Sequence, residues 1–122
     1  MARRVRIENH TRGTTIADKA RIARTLRDRT VGLLGTSGLE PASGLLIERA
    51  PSIHMFFMRF AIDVIFVDAA LHVTRVVEGL RPWRVVWSAR GGRDCVELPV
   101  GAIASSQTQV GDELALVDPD EC

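Results

Sequence analysis

The sequence predicts a mainly β domain of the α+β kind, in which short strands form a small antiparallel barrel or closed sheet with one amphipathic helix. Two patterns support this prediction: short apolar runs recur between turn residues along most of the chain, and residues 22–34 instead repeat apolar side chains at helical spacing. The 122 residues, 46% of them hydrophobic and 25% charged, suit one core. We therefore expect a single domain over residues 1–122, with residues 118–122 as a frayed tail.

The first elements follow from local periodicity. Residues 5–8 alternate apolar and polar side chains, residues 9–13 are turn formers, and residues 14–17 resume β-branched character, which predicts a hairpin. The amphipathic pattern of residues 22–34 predicts a helix, and the glycines at positions 35 and 38 are typical of its C-terminal end.

Further strands are predicted in the second half of the chain, over residues 44–48, 62–67, 71–78, 95–100 and 111–117. Residues 62–67 give the strongest pattern, because five of the six are apolar and most are β-branched or aromatic. We expect this strand to lie centrally in a sheet and to pair with residues 71–78 as an antiparallel hairpin. Residues 79–93, rich in glycine, arginine and tryptophan, predict a long loop, called here the 79–93 loop.

Composition limits the cellular setting. The sequence has no apolar run long enough to span a bilayer and no apolar core of a signal peptide near its start, so we predict a cytoplasmic protein without a membrane span. Cys95 and Cys122 lack the spacing of a redox or zinc motif, and we expect no disulfide.

The net charge of +1 is unevenly distributed. Residues 1–30 carry nine basic and three acidic groups, so the remainder of the chain is acidic. A basic surface that includes Arg3, Arg4 and Arg6 would suit an acidic partner or a nucleic acid. No recognisable nucleic-acid-binding motif accompanies it, and the near-neutral total also weighs against nucleic acid as the partner.

Four separated motifs carry a family resemblance that spans residues 23–117: residues 29–34, 44–47, 54–68, and 97–101 with the Gly-Asp pair at 111–112. In this order they resemble the domain-of-unknown-function 192 family, which is widespread in bacteria and archaea. The family usually has Pro-Leu-Asp where this chain has Ala61-Ile62-Asp63, so the proline is lost and the aspartate is kept. Ala69 and Ala70 replace a common turn glycine, which argues against a two-residue turn. The resemblance implies a fold and no established activity.

Asp63 stands at the head of a strongly apolar strand, where an unpaired carboxylate would cost several kcal/mol. It is therefore expected either to accept backbone N–H groups or to pair with Arg59, or else to serve as a carboxylate in a pocket. Together with His54 and Glu97 it offers groups for a small hydrolase-like or metal-dependent enzyme. Their spacing matches no metal-binding motif, so we predict no metal and no cofactor. Cys95, on the same strand face as Glu97, is expected to be a buried thiol.

Our leading hypothesis is a non-catalytic binding domain for a small molecule or a protein partner, with a groove bordered by residues 54–63 and the 79–93 loop. Aromatic and arginine side chains are concentrated there without a nucleophile–base pair, which favours binding over catalysis. The predicted binding residues are Met58, Arg59, Asp63, Trp83, Arg84 and Trp87. A catalytic site at His54, Asp63 and Glu97 and a weak nucleic-acid surface formed by arginines stay open as alternatives.

Overall fold

A computed structural model describes residues 3–23, 38–50, 52–55 and 58–118, except for the side chains of Arg3 and His54. Within these residues the fold is mainly β, as predicted: a curled half-barrel sheet of seven strands, a small second sheet of two strands, and one short helix. The elements are β1 (Arg3–Asn9), β2 (Thr14–Ala23), β3 (Ser43–Ile47), β4 (Ser52–His54), β5 (Ile62–Val67), β6 (Val73–Leu80), β7 (Val85–Trp87), β8 (Asp94–Leu98), α1 (Ala102–Ser106) and β9 (Leu114–Val117).

The large sheet has the strand order β6-β5-β8-β3-β2-β1-β9. The predicted first hairpin is confirmed as the antiparallel pair β1–β2. The pairing of β2 with β3 is parallel, which departs from the expected all-antiparallel arrangement. A parallel pair needs a crossover of about a dozen residues or more, and residues 24–42 separate these two strands.

The helix predicted over residues 22–34 begins too early, because Ile22 and Ala23 form the buried end of β2. The rest of that prediction, residues 24–34, lies outside the described part of the chain. Ile22 and Ala23 fit the start of a helical pattern because both are buried: Ile22 packs in the inner core and Ala23 packs in an apolar cluster on the other face of the sheet.

The predicted hairpin of β5 and β6 is also confirmed. All six residues of β5 are buried, and the strand lies between β6 and β8. The connection is longer than a two-residue turn: the Asp68 carboxylate accepts backbone N–H groups of Ala70 and His72, both at 2.9 Å, and Leu71 adopts a φ of 65°. The side chain of Asp68 thus supplies turn geometry where no glycine is present.

The sheet curls until its two edge strands approach each other. Backbone hydrogen bonds join Val73 N–H to the Asp112 carbonyl at 2.8 Å and Leu114 N–H to the Leu71 carbonyl at 2.9 Å, and His72 and Glu113 form an isolated bridge. This contact between the beginnings of β6 and β9 encloses an inner core, which includes Ile7, Ile22, Ile65, Val96 and Leu98. The barrel-like closure predicted from the many short strands is therefore present in partial form.

A second apolar cluster lies on the other face of the sheet, under the small sheet of β4 and β7. It includes Met55, Met58, Val64, Phe66 and Val86. Residues 79–93 are therefore not one long loop as predicted: β6 continues to Leu80, and β7 pairs antiparallel with β4. Burial of Val86 between the exposed Val85 and Trp87 fixes this three-residue strand on the core.

Candidate functional site

Asp63 is fully buried, and its carboxylate accepts three backbone hydrogen bonds. Oδ1 accepts from Gly79 N–H at 2.9 Å, and Oδ2 accepts from the N–H groups of Gly101 at 3.1 Å and Ile103 at 3.0 Å. Both carboxylate oxygens therefore accept backbone N–H groups, which is the first of the alternatives predicted for this residue. Arg59 is exposed, and the described residues show no ion pair between it and Asp63.

The donors to Asp63 lie at two irregular places in the backbone, a bulge in β6 and the beginning of α1. Gly79 has a φ of 64° and lies in a bulge, because three steps along β6 from Leu80 to Val77 oppose two along β5 from Ile62 to Val64. Gly101, the N-cap of α1, has a φ of 101° and no side chain with which to cap the helix. Asp63 supplies that cap from 38 positions earlier in the chain, so it joins β5, β6 and α1 at one point.

Glu97 is the other buried carboxyl group predicted as a site residue. It is 5% exposed on β8, and its cross-strand neighbours are Leu45 and Val64. Burial raises the pKa of Glu97 to about 7. Among the described residues, none donates a hydrogen bond to its carboxyl group, which sets Glu97 apart from Asp63.

Cys95, two residues before Glu97 on β8, is a buried free thiol. Burial raises its pKa well above the ordinary value, and the negative charges of Glu97 and Asp94 raise it further. The thiol is therefore protonated at neutral pH, whereas a nucleophilic cysteine needs a lowered pKa. This chemistry suits the predicted role of Cys95 as a small core residue.

The structure does not bring Asp63 and Glu97 together. Register pairs Asp63 with Leu98 and Val64 with Glu97, so side-chain alternation places the two carboxyl groups on opposite faces of the sheet. Asp63 accordingly reaches α1 and the inner core, while Glu97 shares its face with Cys95 and the second cluster. The backbone of His54 lies on β4 in the small sheet. An enzyme that uses Asp63 and Glu97 on one substrate is not supported by this placement.

The described part of the chain has neither a cluster of metal-binding side chains nor a membrane-spanning helix. No group of three or more His, Cys, Asp or Glu side chains there could hold a metal ion. No helix in that same part of the chain has the length and apolar character to cross a membrane.

The predicted binding residues lie in two settings. Met58 is buried in the second cluster, and Arg59 beside it is exposed. Trp83 and Trp87 are 59% and 65% exposed, and Val85 between them is 47% exposed. Sequence reasoning identified the two tryptophans but missed Val85, although its two-residue spacing from Trp87 was the available signal. Trp83 precedes this strand in a turn, where its φ is 69°. Trp83, Val85 and Trp87 are called here the tryptophan strip.

The backbone holds the tryptophan strip firmly. Met55 N–H donates to the Arg84 carbonyl, and Trp83 N–H donates to the Met55 carbonyl at 2.7 Å, which anchors the start of β7 to the chain after β4. At the other end, Arg75 donates from Nη1 to the Trp87 carbonyl at 2.7 Å. The exposed aromatic side chains are thus presented by ordered backbone on top of a packed apolar cluster.

The surroundings of the strip are strongly basic. Residues 75–93 contain one acidic residue, Glu78, and five exposed arginines, which are Arg75, Arg81, Arg84, Arg90 and Arg93. Arg93 lies 3.6 Å from the Asp94 carboxylate at the beginning of β8. A surface of this kind joins aromatic area to positive charge, the combination that often anchors a binding partner.

Residues 6–116 match the profile of the DUF192 family, whose description is an uncharacterized ACR. The chain belongs to the DUF192 family. The resemblance drawn from the four sequence motifs is therefore confirmed, and the matched region contains Asp63, Glu97 and the tryptophan strip.

Relatives of this DUF192 chain are UPF0127 proteins of archaea. One from Thermococcus sibiricus is 34% identical over 110 residues, covering 87% of this chain and 71% of the relative. One from Thermococcus gammatolerans is 36% identical over 112 residues, with the same coverage of 87% and 71%. A UPF0127 protein of Pyrococcus furiosus is 41% identical over 63 residues, covering 52% of this chain and 53% of its own length.

Two solved structures share the fold. A protein of unknown function from Novosphingobium aromaticivorans has a TM-score of 0.78 and 19% identity, covering 93% of this chain and 84% of that protein. A candidate transcription regulator from Sinorhizobium meliloti also has a TM-score of 0.78, with 21% identity and coverage of 93% and 92%. At such low identity the likeness concerns the fold alone.

Replacing Asp63 with alanine should lower the free energy of unfolding by about 3 kcal/mol or more, since three backbone N–H groups, one of them buried and two partly buried, would lose their acceptor. Asp68→Ala is the matched control, because Asp68 also accepts two backbone N–H groups but in a half-exposed turn. Urea unfolding followed by circular dichroism measures both. A loss in Asp63→Ala no larger than that in Asp68→Ala would contradict the role given to Asp63.

Glu97 should make stability depend on pH. Its folded pKa of about 7 lies above the ordinary value of 4.5, so the folded state binds the extra proton and the free energy of unfolding falls as pH rises between these values. The loss is complete above pH 7 and amounts to about 3 kcal/mol. Glu97→Gln, which resembles the protonated form, should remove this slope and be more stable than the native protein at pH 8.

Urea titrations at pH 5, 6, 7 and 8 test this expectation, with Glu78→Gln as the control at an exposed position of β6. The control should keep the slope of the native protein. If Glu97→Gln and the native protein differ by the same amount at pH 5 and pH 8, Glu97 does not titrate as its burial implies.

Proposed function

We propose that this domain is a binding module that takes up an extended, acidic segment of polypeptide at the tryptophan strip. The observation that carries the proposal is the simultaneous exposure of Trp83, in the turn before β7, and of Val85 and Trp87, which alternation places on one side of β7. Single exposed apolar residues are ordinary, but adjoining large ones are typical of interaction sites. Tryptophan is also enriched among the residues that contribute most to protein–protein affinity.

The position of β7 favours a partner in extended conformation. Met55 N–H donates to the carbonyl of Arg84, so alternation directs the backbone groups of Arg84 and Val86 toward β4 and those of Val85 and Trp87 away from it. Within the described part of the chain, β7 has β4 as its one strand neighbour. An added strand would pair with the other edge, where it would replace the Arg75 guanidinium as the partner of the Trp87 carbonyl, and would bring its side chains onto the tryptophan strip.

The charged residues near the tryptophan strip indicate that its partner is acidic. Residues 75–93, which include the strip, contain five exposed arginines and one acidic residue, Glu78, and Asp94 follows them beside Arg93. Complementary charge increases the association rate and rejects partners of like charge. A segment that alternates acidic and apolar side chains would satisfy both the arginines and the aromatic surface.

A peptide of four Glu-Val repeats is a suitable probe, and a peptide of four Lys-Val repeats is its charge-reversed counterpart. The chain contains two tryptophans, both in the strip, so their emission should shift to the blue when the acidic peptide covers them. Trp83→Ala and Trp87→Ala should each weaken binding at least about tenfold, as measured by the anisotropy of labelled peptide. Val110→Ala, a change at another exposed apolar residue, should leave affinity unchanged.

The same assay separates strand pairing from nonspecific attraction. Two versions of the acidic peptide are compared, one N-methylated at its odd-numbered residues and one at its even-numbered residues. One version should lose binding and the other should keep it, because one edge of the peptide strand pairs with β7. Equal affinity for the Lys-Val peptide, or unchanged affinity in both tryptophan variants, would refute the proposal.

A further inference from the structure

The outer face of the β1–β2 hairpin carries a second feature, separate from the tryptophan strip. A cavity of about 350 Å³ lies where β1, β2 and the start of β3 adjoin. Its lining includes three cationic side chains and one acidic side chain: Arg4, Lys19, Arg21 and Glu40. It is called here the basic cavity.

Strand register places the three cations on one surface. Arg4 and Arg21 are directly paired across the hairpin, and Lys19 lies two residues before Arg21 on the same side of β2. Their neighbours Val5 and Ala20 face the inner core, so all three cations face outward. Directly opposed residues have Cβ atoms about 5 Å apart, which brings the two guanidinium groups within reach of one ligand.

In the described part of the chain, Glu40 is the one acidic side chain of the cavity lining, and it offsets at most one of the three positive charges. Arg6, the next outward residue of β1, pairs with Glu8 at 2.8 Å, whereas no ion pair there involves Arg4, Lys19 or Arg21. Like charges directly opposite each other destabilise a strand pair. An anion between them would remove this repulsion.

We propose that the basic cavity binds a small anion that carries two or more phosphate groups. Three cations and one carboxylate leave an excess of two positive charges, which suits a multivalent anion. The volume lies in the range of roughly 300–1,000 Å³ that is usual for small-molecule sites. None of the described residues that line the cavity is aromatic, so they offer no stacking surface of the kind with which proteins hold single-stranded nucleic acid.

Lys19 provides a direct readout because it is the sole lysine in the sequence. Acetylation by an amine-reactive ester, followed by peptide mapping to separate Lys19 from the N-terminal amine, measures access to the cavity. Inorganic triphosphate should slow acetylation of Lys19 at least about fivefold, and orthophosphate at equal ionic strength should have little effect. Protection should weaken steeply with added salt.

Variants of the paired arginines test the assignment of the site. Arg4→Gln and Arg21→Gln should each weaken triphosphate binding at least about tenfold by calorimetry, and Arg21→Lys should restore part of the affinity. Arg49→Gln is the matched control, since Arg49 is exposed in the turn after β3 and is not part of the cavity lining. All three native arginine side chains are exposed, so circular dichroism should show an intact fold in each variant.

Three results would overturn the proposal. The first is that triphosphate protects Lys19 no better than orthophosphate does. The second is that Arg21→Gln binds triphosphate as the native protein does. The third is that a single-stranded RNA of 20 nucleotides protects Lys19 at a lower phosphate concentration than triphosphate does. The last outcome would assign the surface to nucleic acid. The peptide assay at the tryptophan strip uses different residues, so either proposal can fail without the other.

Discussion

The buried carboxylate of Asp63 is the interaction on which the arrangement of this fold most depends. An uncompensated charge in its position would be strongly destabilising, and three backbone N–H groups from two other segments offset that penalty. A helix of five residues such as α1 is not stable alone, and its N-cap Gly101 has no side chain. Asp63 therefore fixes α1 against the sheet, which allows Ile103 to complete the inner core.

Local periodicity explains which parts of the fold were predictable. The strand Ile62–Val67 and its hairpin with β6 are predictable because each has a self-contained apolar pattern and a nearby turn. The three-residue strand β7 lies within the predicted loop because its pairing with β4 joins residues 31 to 35 positions apart and is too short to leave a pattern. The helix α1 was missed for a related reason, since its cap is supplied by a residue on β5.

The candidate site shows the same limit. Sequence reasoning correctly identified Asp63 and Glu97 as carboxyl groups in strongly apolar strands, and both are buried. Whether they converge depends on the register between β5 and β8, which pairs Glu97 with Val64. A slip of one residue would reverse the face of every side chain on one strand, so only the folded pairing decides that these groups are separated. Burial could thus be inferred from composition, whereas proximity could not.

The basic surroundings of β7 also bear on which partner the strip accepts. An edge strand with exposed tryptophans would be prone to pair with a second copy of itself, and charged residues on such edges are a common protection against this. In a self-paired dimer the arginines around Trp83 and Trp87 would face their own counterparts, because a twofold contact brings like patches together. The same charges attract an acidic strand. The arginines therefore favour a different, acidic chain over a second copy of this one, and they allow aromatic surface to stay exposed until that chain arrives.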